Sequence, residues 1–234
     1  MEILKLRVTP SLRAALLAAP AVALAAVALD AAFTDPGLET IDSTFESASA
    51  GRFAILVLGV LAVGGEFHHG TIDSVFSGFP RRVEVMEVKS FVIAAAAALA
   101  GAVAVVAGDA LAALVLTAKS VDIDISAGQL IAVGLGTIGA YVMWGLAGVA
   151  LGAVAASQSG GLLLAFGALL ANSVFQGLVT IDVARLLPLE ASAALTGSGQ
   201  EGGLTAAAAV LVLGVWVSAL MTAAAWRVTR LDIT

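Results

Sequence analysis

The chain contains no cysteine, which excludes disulfides, thiolate metal sites and cysteine nucleophiles. It is also poor in charge. Only 12% of its residues are Asp, Glu, Lys or Arg, where a soluble domain carries roughly 25%. Half that density cannot coat a water-facing surface. Nucleotide and hydrolase signatures are missing too: there is no GxxxxGK[ST], GxSxG or HExxH, and neither Lys89 nor Lys119 follows a glycine-rich loop. Both histidines, His68 and His69, lie in one polar stretch, so no Ser/His pair is available at membrane depth. The chain is not expected to be an enzyme.

What remains is hydrocarbon. Residues of the hydrophobic class make up 60% of the 234, with Ala, Gly and Val abundant. Small residues let helix backbones approach closely in lipid. The expected fold class is an all-α membrane protein of about six transmembrane helices of roughly 20 residues each, forming one transmembrane domain over 1–234, with no room for a separate soluble domain. The spans are expected at about 12–33, 51–66, 90–118, 129–156, 161–181 and 204–226. The first has the basic start, apolar core and small residues of a signal peptide. Its apolar run is long for that role and more spans follow, so it is expected to be retained. Residues 34–50 and 182–203 read as the two sizeable loops, and Ser157–Gly161 as a tight turn.

Orientation follows from Lys and Arg. With the N-terminus in the cytoplasm, eight basic residues face inward: Lys5, Arg7, Arg13, Arg81, Arg82, Lys89, Arg227 and Arg230. Three face outward: Arg52, Lys119 and Arg185. Both termini of this multi-pass protein are then cytoplasmic, and the acidic loops face out.

The most polar stretch is Gly65–Lys89, between the second and third spans. Within it Ile72, Val75, Phe76 and Phe79 fall at i, i+3, i+4 and i+7, which puts four apolar side chains on one face of a short helix over about 71–79. Thr71 can cap its start, Asp73 suits the first turn, and Gly78 and Pro80 end it before Arg81 and Arg82. Such a helix is too short to cross a bilayer. It lies at the interface or docks on something in water, and docking on a soluble partner is the expectation. Glu66, His69 and Asp73 share helical spacing, but a metal needs three or four converging ligands and the Gly70–Thr71 step breaks the helix between them. No metal is expected.

Three polar residues stand at depth. Asp109 lies roughly ten residues, about 15 Å, from the outer end of the third span. Either it is a polar group on a transport path, or the helix kinks near Gly108 and Asp109 reaches outer water. Asn172 and Gln176, one turn apart in the fifth span, either line a path or hydrogen-bond between helices. In the fourth span Gly148 and Gly152 form a GxxxG step, which favours close helix contact.

These residues resemble the permease subunit of an ABC-2 type transporter. The family pattern is a glutamate, three residues, then Gly-Thr, here Glu66, Gly70 and Thr71. A short amphipathic helix follows, then Pro80-Arg81-Arg82, and a lysine before the third span, Lys89. GLAGVALGAVAAS resembles the glycine-rich end of the family's fourth span, LLPLEASAAL the segment after the fifth, and Arg230-Leu231-Asp232 the closing basic tail. The turn Ser157-Gln158-Ser159 lacks the arginine often found there in the family.

The resemblance implies a function. Such permeases form homo- or heterodimers, and each binds a cytoplasmic ABC ATPase that carries the ATP and Mg; this chain would hold no cofactor. The helix at about 71–79 would be the coupling helix. Ile72, Val75, Phe76 and Phe79 would press into a groove on the ATPase, with Arg81 and Arg82 at the rim and Glu66, Gly70 and Thr71 at the base. Closure of the ATPases would tilt the spans between inward- and outward-open states. The chain would sit in the plasma (inner) membrane and export a small amphipathic, lipid-like, peptide or drug cargo, a cargo class that rests on the apolar character of the spans. Its partners would be the ATPase, a second permease copy or paralogue, and the lipid bilayer, with no nucleic acid. Two other readings stand beside it: a stand-alone secondary transporter using Asp109, and a membrane assembly protein without transport.

Overall fold

The computed structural model describes residues 8–33, 47–68, 70, 82–120, 126–197 and 203–230. The coupling-helix segment 71–81, His69, and most of the first acidic loop lie outside them. The described residues are almost entirely helical and contain no strand. In chain order the helices are α1 (Pro10–Phe33), α2 (Arg52–His68, entered through a 3-10 turn at Ser47–Gly51), α3 (Arg82–Ala118), α4 (Ala127–Ala155), α5 (Gln158–Leu178), α6 (Ile181–Ala184), α7 (Pro188–Leu195) and α8 (Ala206–Thr229). Six of them are long and apolar enough to cross a membrane: α1, α2 with its 3-10 turn, α3, α4, α5 and α8. Their outward faces carry large apolar side chains such as Phe91, Leu99, Leu114, Leu170 and Leu211. Water would penalise that surface, and lipid accepts it.

Small residues decide how the helices pack. On α1 the buried residues Ala15, Ala19, Ala23, Val27 and Ala31 recur every fourth position, forming a narrow stripe against α3 and the 3-10 turn. The closest pairing joins α2 to α4. A Cβ added at Gly148 would collide with the Leu56 carbonyl oxygen, and one added at Gly59 with the Gly145 carbonyl oxygen. The GxxxG step is therefore a true point of backbone contact. α2 and α4 form the centre of the bundle, while α5 and α8 leave most of their surface outside it.

Ser126 begins α4 with a reciprocal capping box to Gln129, and Ala156 ends it in left-handed conformation. Ser157 then caps α5 through the Gly160 N–H. The tight turn expected at Ser157–Gly161 is thus a helix stop and a helix start in direct succession.

Two elements differ from the sequence expectation. α3 starts at Arg82 rather than near 90, and its 37 residues extend about 55 Å, well beyond a hydrocarbon core of about 30 Å. Glu84, Glu87 and Lys89 do not stop a helix, because charged straight-chain residues have good helix propensity. The helix simply emerges from the apolar zone. The stretch 182–195 is not an open loop either, since it folds into α6 and α7. Pro188 occupies the first turn of α7 and Glu190 follows it, an arrangement that favours helix initiation.

Candidate functional site

At one end of the bundle the last turn of α2 meets the second turn of α3. Glu66 and Lys89 are both buried, and Lys89 Nζ donates to Glu66 Oε1 at 2.5 Å. Two charges in a low-dielectric site are stable only when they face one another with good geometry. The pair pins the last turn of α2 to α3. Nearby, Arg82 Nη1 donates to the Val228 carbonyl at 3.2 Å, tying the start of α3 to the last turn of α8. A cation there also suits the C-terminal end of a helix.

Gly70 stands just beyond α2 with φ +65, exposed, its N–H donating to Phe67 O at 3.3 Å. That left-handed conformation costs glycine nothing, and it turns the chain off the helix where the sequence predicts a break. Gln158, at the position where the arginine of the resemblance is absent, packs against Gly64. This end therefore collects α2, α3, the α4–α5 turn and α8. Of the nine residues expected to contact a partner, Glu66, Gly70 and Arg82 are placed here. Thr71, Ile72, Val75, Phe76, Phe79 and Arg81 lie outside the described residues, and so does Asp73. Among the described residues no three His, Cys, Asp or Glu side chains gather as metal ligands.

A second polar group lies mid-bundle. The small residues of the 3-10 turn Ser47–Gly51 allow it to sink against α1 and α3. A Cβ on Gly51 would strike the Ala19 carbonyl and the Tyr141 hydroxyl. Both residues stand well inside their helices, so α2 begins deep in the bundle rather than at its rim. Tyr141 Oη donates to Ala48 O at 2.9 Å, and Arg52 Nη1 donates to Ser49 Oγ at 2.6 Å. The sequence counts Arg52 among the outer basic residues. It is instead half-buried, its guanidinium 5.1 Å from the Phe53 ring centroid. The inward course of the turn is a tertiary effect that charge counting does not register. Asp109 is half-buried on α3, whose helix runs unbroken through Gly108. Gly108 is a packing contact with Ala48 and Val27.

The third polar group joins α5 to α7. Asn172 is buried, and its Oδ1 accepts from the Leu189 N–H at 3.3 Å. Gln176 Nε2 donates to Glu190 Oε1. α7 has no side-chain cap of its own, so Asn172 satisfies one of the amides its first turn leaves open. Trp144 Nε1 donates to Ser192 Oγ at 2.9 Å and Trp216 Nε1 to Leu186 O at 2.9 Å. These bonds seat α7 against the middle of α4 and tie it, with the Leu186 turn before it, to α5 and α8. Asn172 and Gln176 are thus engaged in interhelical hydrogen bonding. The sequence contains both amides, but the partner of Gln176 sits 14 residues away and that of Asn172 17 residues away, beyond any local spacing rule.

The chain matches no protein-family model, and no curated protein matches it significantly.

Proposed function

We propose that the chain is the permease subunit of an ATP-binding-cassette exporter of the ABC-2 kind, working with a separate cytoplasmic ATPase. The observation that carries this reading is the Glu66–Lys89 ion pair. Both residues belong to the pattern on which the family resemblance rests, and their pairing offers a physical reason for it. A buried salt bridge couples α2 and α3, the two spans that flank the segment 69–81. Force applied to it from the cytoplasm would reach both spans together.

In this reading the N-terminus is cytoplasmic and residues 71–79 form the coupling helix. Ile72, Val75, Phe76 and Phe79 meet an apolar groove on the ATPase, and Arg81 and Arg82 meet acidic groups at its rim. ATP and Mg belong to that partner. Two permease copies, or this chain and a paralogue, enclose the path, and the cargo is a small amphipathic or lipid-like molecule, a peptide or a drug.

The test is purification of the tagged chain in mild detergent with mass spectrometry of what accompanies it. A P-loop ATPase in about equal amount is the expected result. A chain that purifies alone and drives cargo movement from a proton gradient overturns the proposal. The half-buried Asp109 on an unbroken α3 is the group on which that outcome would centre.

A further inference from the structure

A cavity of about 200 Å³ lies where α5 stops and α8 begins. The last turn of α5 supplies Gln176, the turn after α6 supplies Arg185, the first turn of α7 supplies Glu190, and Leu204 leads into α8. An apolar cavity of ~150 Å³ accepts a benzene-sized group, so this one has room for a slightly larger polar fragment.

Two opposite charges line this space and do not pair with one another. Among the described residues Arg185 has one ion pair, with Asp182 at 3.2 Å, and Glu190 has none. The Asp182 side chain is 81% exposed, and a surface pair of this kind is worth little. It engages only Nη1 of the guanidinium, which leaves the other N–H groups available. The Arg185 side chain is itself 31% exposed, so a ligand can reach it. Glu190 Oε1 accepts from Gln176 Nε2. That bond fixes the Gln176 amide, because the flipped form would set oxygen against oxygen. Glu190 Oε2 and Gln176 Oε1 have no bond among the described residues, and neither is sealed off by protein. The cavity therefore offers charged donors from Arg185 and two open acceptors from Glu190 and Gln176.

This set selects its occupant. An anion drawn to Arg185 is repelled by Glu190, and a cation drawn to Glu190 is repelled by Arg185. A group that carries both signs satisfies both. The surroundings indicate where such a group comes from. Leu178, Ile181, Val183 and Leu186 on the same segment are exposed, and α5 is a candidate membrane span that ends here. An apolar rim at the end of a span belongs where hydrocarbon gives way to headgroups.

We infer that this cavity binds the headgroup of a zwitterionic phospholipid bearing a primary ammonium. The phosphate accepts from Arg185, whose planar fork matches its oxygens. The ammonium donates to Glu190 Oε2 and Gln176 Oε1, and the acyl chains stay in the bilayer. This goes beyond the transport reading, for the site lies within one chain and needs no ATPase.

The test is native mass spectrometry of the full chain in detergent, titrated with dioleoyl phosphatidylethanolamine or with dioleoyl phosphatidylglycerol, which has the phosphate but no ammonium. One ethanolamine lipid is expected to bind, with half-saturation at about tenfold lower concentration than in Arg185→Gln or Glu190→Gln, a ratio one charge-assisted hydrogen bond supplies. Glu190→Gln should weaken the ethanolamine lipid yet leave the glycerol lipid unchanged or tighter, because it removes a repulsion. A collapsed pocket would lose both. Soluble O-phosphoethanolamine at the lipid's concentration should not displace it, since it lacks the chains that the membrane holds. Equal ethanolamine-lipid binding by the parent and both variants overturns the proposal. So does parallel weakening of the two lipids in Glu190→Gln. Displacement by O-phosphoethanolamine at equal concentration overturns the lipid as the source and assigns the cavity to a free solute.

Discussion

Lys89 reaches Glu66 across 23 residues of sequence and closes a 2.5 Å ion pair between α3 and α2. Both partners are buried, the lysine almost completely. Removing one of them deprives the other buried charge of this ion pair. Lys89→Met alone should cost about 3–5 kcal/mol, whereas Glu66→Leu with Lys89→Met should recover most of it. Thermal unfolding of the four species in one detergent closes the cycle. If the double variant is no more stable than the single one, the pair is not an isolated unit.

The α2–α4 crossing depends on absent side chains. Gly148→Ala places a methyl against the Leu56 carbonyl oxygen. The rigid backbone there cannot move aside cheaply, and a loss of about 1–3 kcal/mol is expected. Gly214 on α8 is the contrast, because a Cβ there meets nothing within 4 Å. Gly214→Ala should be neutral or stabilising by up to about 1 kcal/mol, through helix propensity. Chemical or thermal unfolding of the two variants should therefore move in opposite directions.

Ser192 accepts the indole N–H of Trp144 in a buried setting. Ser192→Ala leaves that donor unsatisfied and should cost about 1–3 kcal/mol. The loss should be local, because α7 is held on α4 chiefly by this bond and by the packing of Ala191 and Leu195. Hydrogen exchange of amides 188–195 is expected to speed up while the centres of α2 and α4 keep their protection. Uniform loss of protection would mean that α7 is integral to the core.

Phe76→Asp introduces a charge on the apolar face the sequence predicts for residues 71–79. Association with an ATPase should be lost, while the unfolding midpoint of the membrane part stays within about 0.5 kcal/mol of the parent, as for a surface substitution. Co-purification of the ATPase with this variant at the parent's yield would place the docking contact elsewhere.

The six spans and the helical class are written in composition and run length, because lipid demands about 20 apolar residues for every crossing and satisfies none of the backbone. Glycine at 148 and 152 announced a close helix contact. The stop at Gly70, likewise, needs no partner to be read. Other features depend on residues far apart in the chain and leave no local trace. Lys89 looks like a surface lysine until α2 brings Glu66 to it. Arg52 looks like an outer charge until the Ser47–Gly51 turn sinks between α1 and α3. Asn172 looks free at depth until α7 folds back and presents the Leu189 N–H. Hydrophobic run length is a property of consecutive residues and survives in any arrangement of the helices. The partner of a buried polar group is chosen by packing, and exists only once the helices have met.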